Sequence, residues 1–303
     1  MRITLMHNPK AGNGGHGKKA LVAALKKSGH RVVYQSTKKN DYKKALKKST
    51  DLVLVAGGDG TVTKVGRELI DSGVPLAVLP LGTANNVART LGFTDSIEKI
   101  IKGLRRGKKH AFDVGLARGP WGKKHFLEGV GSGLFADYVR KADRDDKKTK
   151  NLSKEQEMTR HVALLRRMLH KYRPQRWKID IDGHDVSDHY ILWEAMNIRS
   201  VGPALYLAPP ALTKDGHLEF VSANEEERSH LLEYLDEWLA GRRKKFPLRV
   251  SRFRKLKITS KDAGVHLDGK IWPKKKRESK KSYKIEITSK PSGLVILQPA
   301  PAR

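Results

Sequence analysis

Cysteine is absent from all 303 positions. That excludes disulfides, thiolate catalysis and Cys-ligated zinc, and it fits a reducing compartment. Aromatic residues are sparse at 7%, and no nucleic-acid recognition motif is present, so a specific nucleic-acid partner is not expected. Long apolar runs are also missing. The most apolar stretches, around residues 51–56 and 75–81, fall far short of the ~20 residues a helix needs to cross a bilayer. The first residues, MRITLMHNPK, turn polar after six positions and lack the apolar core of a signal peptide. A cytoplasmic location is therefore expected. Acidic residues are few, 32 against 62 lysines and arginines, which leaves a formal charge of +30.

The excess charge is unevenly placed. Residues 1–50 hold 13 basic residues and one acidic, residues 101–150 hold 14 and six, and residues 251–303 hold 15 and four. Residues 51–100 hold only four basic residues against six acidic. Such asymmetry points to a basic face that meets something anionic: nucleic acid, lipid headgroups or nucleotides. Strong apolar runs within a hydrophobic content of 38% make the chain globular. At ~150 residues per domain, its length suggests two domains.

The first hundred residues alternate strand and helix. Apolar runs at 3–6, 31–35, 52–55 and 76–79 read as strands, and 18–27, 41–48 and 62–71 as helices. Strands apolar on both faces and separated by helices imply a parallel sheet, so the first domain, residues 1–110, is α/β. Beyond it, short strand-like runs at 112–118, 125–130, 177–182, 190–197, 218–222, 253–258, 263–267, 283–288 and 294–297 suggest a β-rich second domain over 111–303. Two helical insertions interrupt it. Met158, Val162, Leu165, Leu169 and Tyr172 form one apolar stripe, read as core-facing, and residues 226–240 form the second helix. The basic stretch 274–281, between two strand-like runs, reads as an exposed hairpin loop.

Two glycine motifs are set aside. Residues 12–17 satisfy G-x-G-x-x-G, but the segment 35–40 is basic where a dinucleotide fold wants a ribose-binding carboxylate. The same glycines with Lys18 mimic a Walker A loop, but Lys19 stands where Ser or Thr would bind magnesium. The twelve histidines form no cluster of metal-ligand spacing.

The stronger signal is Gly57-Gly58-Asp59-Gly60-Thr61 after one buried strand, and Pro80-Leu81-Gly82-Thr83-Ala84-Asn85-Asn86 after the next. Both loops follow parallel strands, at whose carboxyl ends open α/β sheets bind ligands. Glycines without Cβ atoms let backbone N–H groups approach phosphate oxygens. A carboxylate in such a loop opposes phosphate unless it meets a cation, so Asp59 reads as a magnesium ligand or a base. Thr61 and Thr83 offer hydroxyls, and Asn85 offers both a donor and an acceptor.

With Asn8-Pro9-Lys10-Ala11-Gly12 and the extended run 80–89, these loops resemble the three motifs of the diacylglycerol kinase / sphingosine kinase catalytic-domain family. The resemblance continues through Asp113-Val114-Gly115, Glu128-Gly129-Val130-Gly131, Asp215-Gly216-His217-Leu218 and His266-Leu267-Asp268-Gly269. It implies an α/β nucleotide-binding domain and a β-sandwich-like domain with helical insertions, the last residues returning to the first. It implies ATP and Mg²⁺ as cofactors, with Asn8, Thr37, Gly57, Gly58, Asp59, Gly60, Thr61, Val62, Thr63, Gly82, Thr83 and Asn85 lining the nucleotide. Asp59 and Asp113 would belong to the network around the nucleotide's magnesium. A second, structural metal would be held by Asp215, with Leu212 and His217 through their carbonyls. Asp59 and Asp268 would be catalytic.

The expected activity is phosphorylation of a hydroxyl of diacylglycerol or a related lipid, and the alternative is a weak or inactive nucleotide- and lipid-binding member. Two departures bear on that choice: Asn86 replaces an expected aspartate, and Lys270 an expected glutamate. The basic segments are expected to bring the enzyme reversibly to the inner face of an anionic membrane.

Overall fold

A computed structural model describes residues 1–12, 16–146, 152–242, 246–260, 264–273 and 282–301. The chain divides into two compact units, one of residues 1–114 and 291–303, the other of residues 115–290.

The first unit runs β1 (Arg2–His7), α1 (Lys18–Lys27), β2 (Arg31–Ser36), α2 (Tyr42–Leu46), β3 (Leu52–Gly57), α3 (Asp59–Leu69), β4 (Leu76–Pro80), α4 (Asn86–Thr90) and α5 (Ile97–Gly103). The strands lie in the order β4-β3-β1-β2, all parallel. All six residues of β3 are buried, as an unbroken apolar run at the centre of a parallel sheet requires. Helices cover it through faces set by sequence: Leu21 and Leu25 on α1, and Val62, Val65 and Leu69 on α3. Ser96 caps α5, accepting from the Lys99 N–H at 3.3 Å.

A strand β5 (Lys108–Gly119) leaves this unit for the second. There follow β6 (Gly122–Phe126), β7 (Gly129–Gly133), α6 (Leu134–Asp146), α7 (Lys154–Lys171), β8 (Gln175–Ile181), β9 (His184–Asp185), β10 (Asp188–Tyr190), β11 (Leu192–Met196) and β12 (Leu218–Ala223). Next come α8 (Arg228–Leu239), β13 (Val250–Phe253), β14 (Lys255–Ser260), β15 (Val265–Leu267), β16 (Lys270–Trp272) and β17 (Tyr283–Gln298). The last of these passes back into the first unit, where Ile296 pairs with Leu76 in parallel.

Within the second unit, β10-β8-β14-β17 form one antiparallel layer and β13-β12-β11-β7-β15-β16 another. Trp177, Ile179, Leu256, Ile258, Ile285 and Ile287 from the first layer pack with Val130, Trp193, Phe220 and Phe253 from the second. This is a β-sandwich core, and alternation puts every other residue outside it. The opposite face of the second layer is covered by α6, α7 and α8. The apolar stripe of α7 is core-facing, with Val162, Leu165 and Leu169 buried. Its N-terminus carries a full capping box between Ser153 and Gln156.

Several expectations need adjusting. The third helix begins at Asp59 rather than 62, because the Thr61 and Val62 N–H groups already donate to the Gly58 carbonyl at 2.8 and 3.1 Å. The run 125–130 belongs to two strands, the run 253–258 splits at Arg254, and 283–297 is one strand through Pro291. The helices α4, α5 and α6 were not expected. The stretch 274–281 lies outside the described residues.

Candidate functional site

Sheet order changes direction between β1 and β3, and the carboxyl ends of these strands carry the first two motif loops. Such a switch point leaves a crevice where ligands bind in open α/β sheets. The Asn8 backbone N–H donates to Ala56 O at 2.9 Å, and its side-chain Nδ2 donates to Thr61 Oγ1 at 3.2 Å. The Asn-Pro-Lys loop is thereby clasped to the first turn of α3. Beside it, the Leu81 N–H donates to Gly57 O at 3.1 Å, which ties the loop after β4 to the one after β3.

The two glycine turns touch. A Cβ on Gly58 would stand 2.9 Å from the Gly82 Cα, and one on Gly82 would stand 2.4 Å from the Gly58 Cα and 2.8 Å from Asn85 Oδ1. A Cβ on Gly57 would stand 2.7 Å from the Thr61 side chain. These three glycines are thus required by the protein's own packing. Gly60 is different: nothing lies within 4 Å of its would-be Cβ. It sits in the first turn of α3, where glycine costs helix stability and no neighbour demands it.

Asp59 occupies the same turn. Its Oδ1 accepts from the Val87 N–H at 2.9 Å. Burial raises its pKa above the usual carboxylate range, against the N–H groups of Val87 and Asn86, its own N–H and the charge of Arg89. Burial thus penalises the charged carboxylate, and a cation beside it would offset that penalty. Magnesium is commonly held by one or two carboxylates together with phosphate oxygens. Asp59 fits that pattern, although no group of three or more His, Cys, Asp or Glu among the described residues could hold a metal by itself.

The other expected nucleotide residues are variously engaged. Thr63 is buried in α3, and its hydroxyl has no hydrogen-bond partner among the described residues. Thr83 is half-buried on the turn after β4. Asn85, in left-handed backbone at φ 52°, spends its amide locally: Oδ1 accepts from the Gly82 N–H and Nδ2 donates to Gly82 O, both at 2.9 Å. Thr37 is buried, and its hydroxyl donates to His7 O at 3.2 Å. Asp113 is buried on β5, where its Oδ1 accepts from the Ser292 N–H at 2.7 Å.

In the second unit, Asp268 is buried at φ 45° after β15. Its carboxylate accepts from three backbone groups, Leu127 N–H at 3.1 Å, Glu128 N–H at 2.8 Å and Gly129 N–H at 3.2 Å. It fastens the start of β7. Lys270 is exposed.

The residues at the second metal position do not suit a divalent cation. Asp215 Oδ1 accepts from the His217 N–H at 3.0 Å, and Oδ2 pairs with the Arg252 guanidinium. Arg252 Nη2 also lies 3.2 Å from His217 Nδ1, and Arg254 Nε donates to His217 Nε2 at 3.2 Å. Leu212 is 49% exposed. Two guanidinium groups already neutralise the site, and their charge opposes a metal ion.

One buried pair escaped sequence reasoning. Glu194 Oε1 and His266 Nε2 lie 2.8 Å apart, both residues almost wholly buried. Glu194, Gly131 and His266 share one register across β11, β7 and β15. A Cβ on Gly131 would stand 2.0 Å from Glu194 Oε1, so the bare Cα lets the carboxylate reach across the middle strand. The pair is 72 residues apart in sequence; its traces were the second glycine of Glu128-Gly129-Val130-Gly131 and His266 at the head of His266-Leu267-Asp268-Gly269, and the sequence did not reveal Glu194.

Comparison with known proteins agrees with the two-part organisation. Residues 2–117 match the diacylglycerol kinase catalytic domain, and residues 140–280 match the YegS C-terminal NAD kinase beta sandwich-like domain. The chain is 25% identical over 308 residues to a diacylglycerol kinase of Mycobacterium tuberculosis, covering 98% of this chain and 95% of that protein. It is 27% identical over 234 residues to a diacylglycerol kinase of Bacillus subtilis, covering 73% of each. A crystal structure of a diacylglycerol kinase from Bacillus anthracis shares the fold, with a TM-score of 0.72 at 20% identity, covering 98% of this chain and 96% of that one.

Proposed function

We propose that this chain, which belongs to the diacylglycerol kinase catalytic-domain family, is a lipid kinase that transfers the terminal phosphoryl group of ATP, as its magnesium complex, to a hydroxyl of diacylglycerol or a related lipid. The observation that carries this reading is the contact of the Gly58 and Gly82 turns, with Asp59 and the unencumbered Gly60 beside it in the first turn of α3. Phosphoryl transfer asks the protein for positioning and charge neutralisation more than for covalent chemistry. The dipole of the α3 N-terminus, with the Gly60 N–H in its first turn, favours phosphate oxygens. The hydroxyls of Thr61, Thr63 and Thr83 add donors. Asp59 would hold magnesium jointly with those oxygens, and the bound ion would supply positive charge to the transferring group.

Asp268, with its oxygens given to three amides, orders residues 127–129. Asp59 and Asp268 are the two carboxylates proposed to take the acceptor's proton as its oxygen bonds to phosphorus and the bond to the diphosphate breaks, and where Asp59 holds the ion that role falls to Asp268. The enzyme would reach its substrate by reversible attachment to the cytoplasmic face of an anionic membrane.

The test is transfer of labelled phosphate from ATP to a panel of diacylglycerol, sphingosine and related lipids. Turnover on at least one lipid, lost in Asp59→Asn, is the expected result. Nucleotide binding without transfer to any of them would overturn the kinase reading in favour of a non-catalytic member.

A further inference from the structure

The outer face of the first layer of the sandwich carries a charge pattern that no part of the proposed chemistry uses. On β8, β14 and β17 the inward residues fill the core, and the alternating residues Lys178, Asp180, Lys257, Thr259, Lys284 and Glu286 point outward. Strand register sorts them into cross-strand rows. One row reads Asp180–Lys257–Glu286. Its carboxylates are already paired: Lys257 lies 4.0 Å from Asp180, and Glu286 takes Lys255 at 2.8 Å and Arg118 at 3.2 Å from outside the row.

The adjacent row reads Lys178–Thr259–Lys284. It places two exposed lysines on either side of a hydroxyl; Lys178 feels the Asp185 carboxylate on β9, but neither lysine forms an ion pair within 4.0 Å among the described residues. With strands ~4.8 Å apart, the two lysine Cα atoms stand about 10 Å from each other, a span that two flexible ammonium stems can close on a phosphate. A groove of about 620 Å³ runs along these rows and reaches Arg118 on β5.

We infer that the Lys178–Thr259–Lys284 row is a docking face for the phosphate headgroups of an anionic membrane. The inference rests on the lipid-kinase reading, which puts the acceptor in a bilayer. Charge complementarity favours this occupant: the groove is lined by four cationic side chains against two carboxylates. It has no aromatic lining residue to stack a base, which disfavours single-stranded nucleic acid. Lysines act as flexible point charges that suit a fluid array of headgroups better than one fixed ligand.

The experiment compares cosedimentation of the full chain with phosphatidylcholine vesicles with and without phosphatidylglycerol. Wild type should bind the anionic vesicles, release them as salt rises, and bind neutral vesicles weakly. A basic residue at an anionic surface contributes about fivefold in affinity, so Lys178→Gln with Lys284→Gln should lower it about 25-fold. The control, Lys26→Gln with Lys27→Gln on the exposed face of α1, removes the same charge elsewhere and should retain most of the binding. Phosphorylation of a soluble short-chain diacylglycerol should be the same in all three proteins.

Unchanged vesicle binding in the Lys178/Lys284 variant would overturn the inference, as would an equal loss in the α1 control. So would equal binding to neutral vesicles, or affinity for nucleic acid, but not for vesicles, that the Lys178/Lys284 variant loses. Absence of turnover in wild type, with the vesicle pattern intact, would refute the kinase reading and leave the docking face standing.

Discussion

Gly82→Ala is the sharpest test of the idea that two glycine turns in contact build the site. The added Cβ would stand 2.4 Å from the Gly58 Cα, whereas ordinary contact begins near 3.4 Å, so the turns must part by about 1 Å. Neither side can yield through a side chain, because the obstructing atom is backbone. The Gly57 carbonyl also holds the Leu81 N–H at 3.1 Å and resists separation. Overpacking of this kind costs about 1–3 kcal/mol, visible as a lower midpoint in denaturant without a change in slope. An ångström of misplacement in a phosphoryl-transfer site costs on the order of 100-fold in kcat/KM.

Gly60→Ala separates packing from ligand approach. With nothing within 4 Å, its Cβ should cost the fold nothing and should stabilise α3 by about 0.5–1 kcal/mol. Nucleotide affinity should nonetheless fall, because the space left open there is the space phosphate needs. If Gly82→Ala keeps kcat/KM within threefold of wild type, or Gly60→Ala binds nucleotide normally, the glycine contact does not define the site.

Three further outcomes follow from the second unit. Gly131→Ala should destabilise the protein by about 3–5 kcal/mol in denaturant titration, since it drives apart Glu194 and His266 and leaves a buried charge unpaired. The same pair sets a pH dependence. Burial pulls the His266 pKa down, but the Glu194 carboxylate, with help from Asp268, holds it above the ordinary value; burial likewise raises Glu194 against the attraction of His266. The native pair therefore keeps a proton that the unfolded chain gives up above pH ~6.5, and stability falls by about 1.4 kcal/mol per pH unit from there until the native pair deprotonates. Replacing both residues by Gln should flatten that slope; an unchanged slope would show that the pair does not carry it. Finally, the melting temperature of nucleotide-free protein should be indifferent to added Mg²⁺ or chelator, while Arg252→Ala should cost about 1–2 kcal/mol by leaving Asp215 and the buried Glu219 without their cation.

What the sequence disclosed depended on how local each signal was. The parallel sheet was legible because β3 and β4 are unbroken apolar runs, and the site loops because glycine follows each of them, Gly57 at the end of β3 and Gly82 two residues beyond β4. The helical content of α3 was misjudged at its start, since Gly-Asp-Gly reads as a loop until the Gly58 carbonyl is seen to accept two N–H groups. In the sandwich, strand limits blurred wherever polar residues alternate, and β17 passes through Pro291, which on composition alone is a break.

The most instructive case is the position of Asp268. Its motif suggested a proton acceptor, but its oxygens bind the N–H groups of residues 127–129, which lie about 140 residues earlier and could not be inferred from spacing. The same holds for Asp215, whose apparent metal set is met by Arg252 on β13 and by Arg254 just after it, 37 residues along the chain from Asp215 and His217 in turn. In both places a motif gave the residue type correctly, while its role depended on partners supplied by tertiary pairing. For a carboxylate, the sequence reveals the charge; whether that charge meets a metal, a guanidinium or a ring of amides is decided by the sheet register.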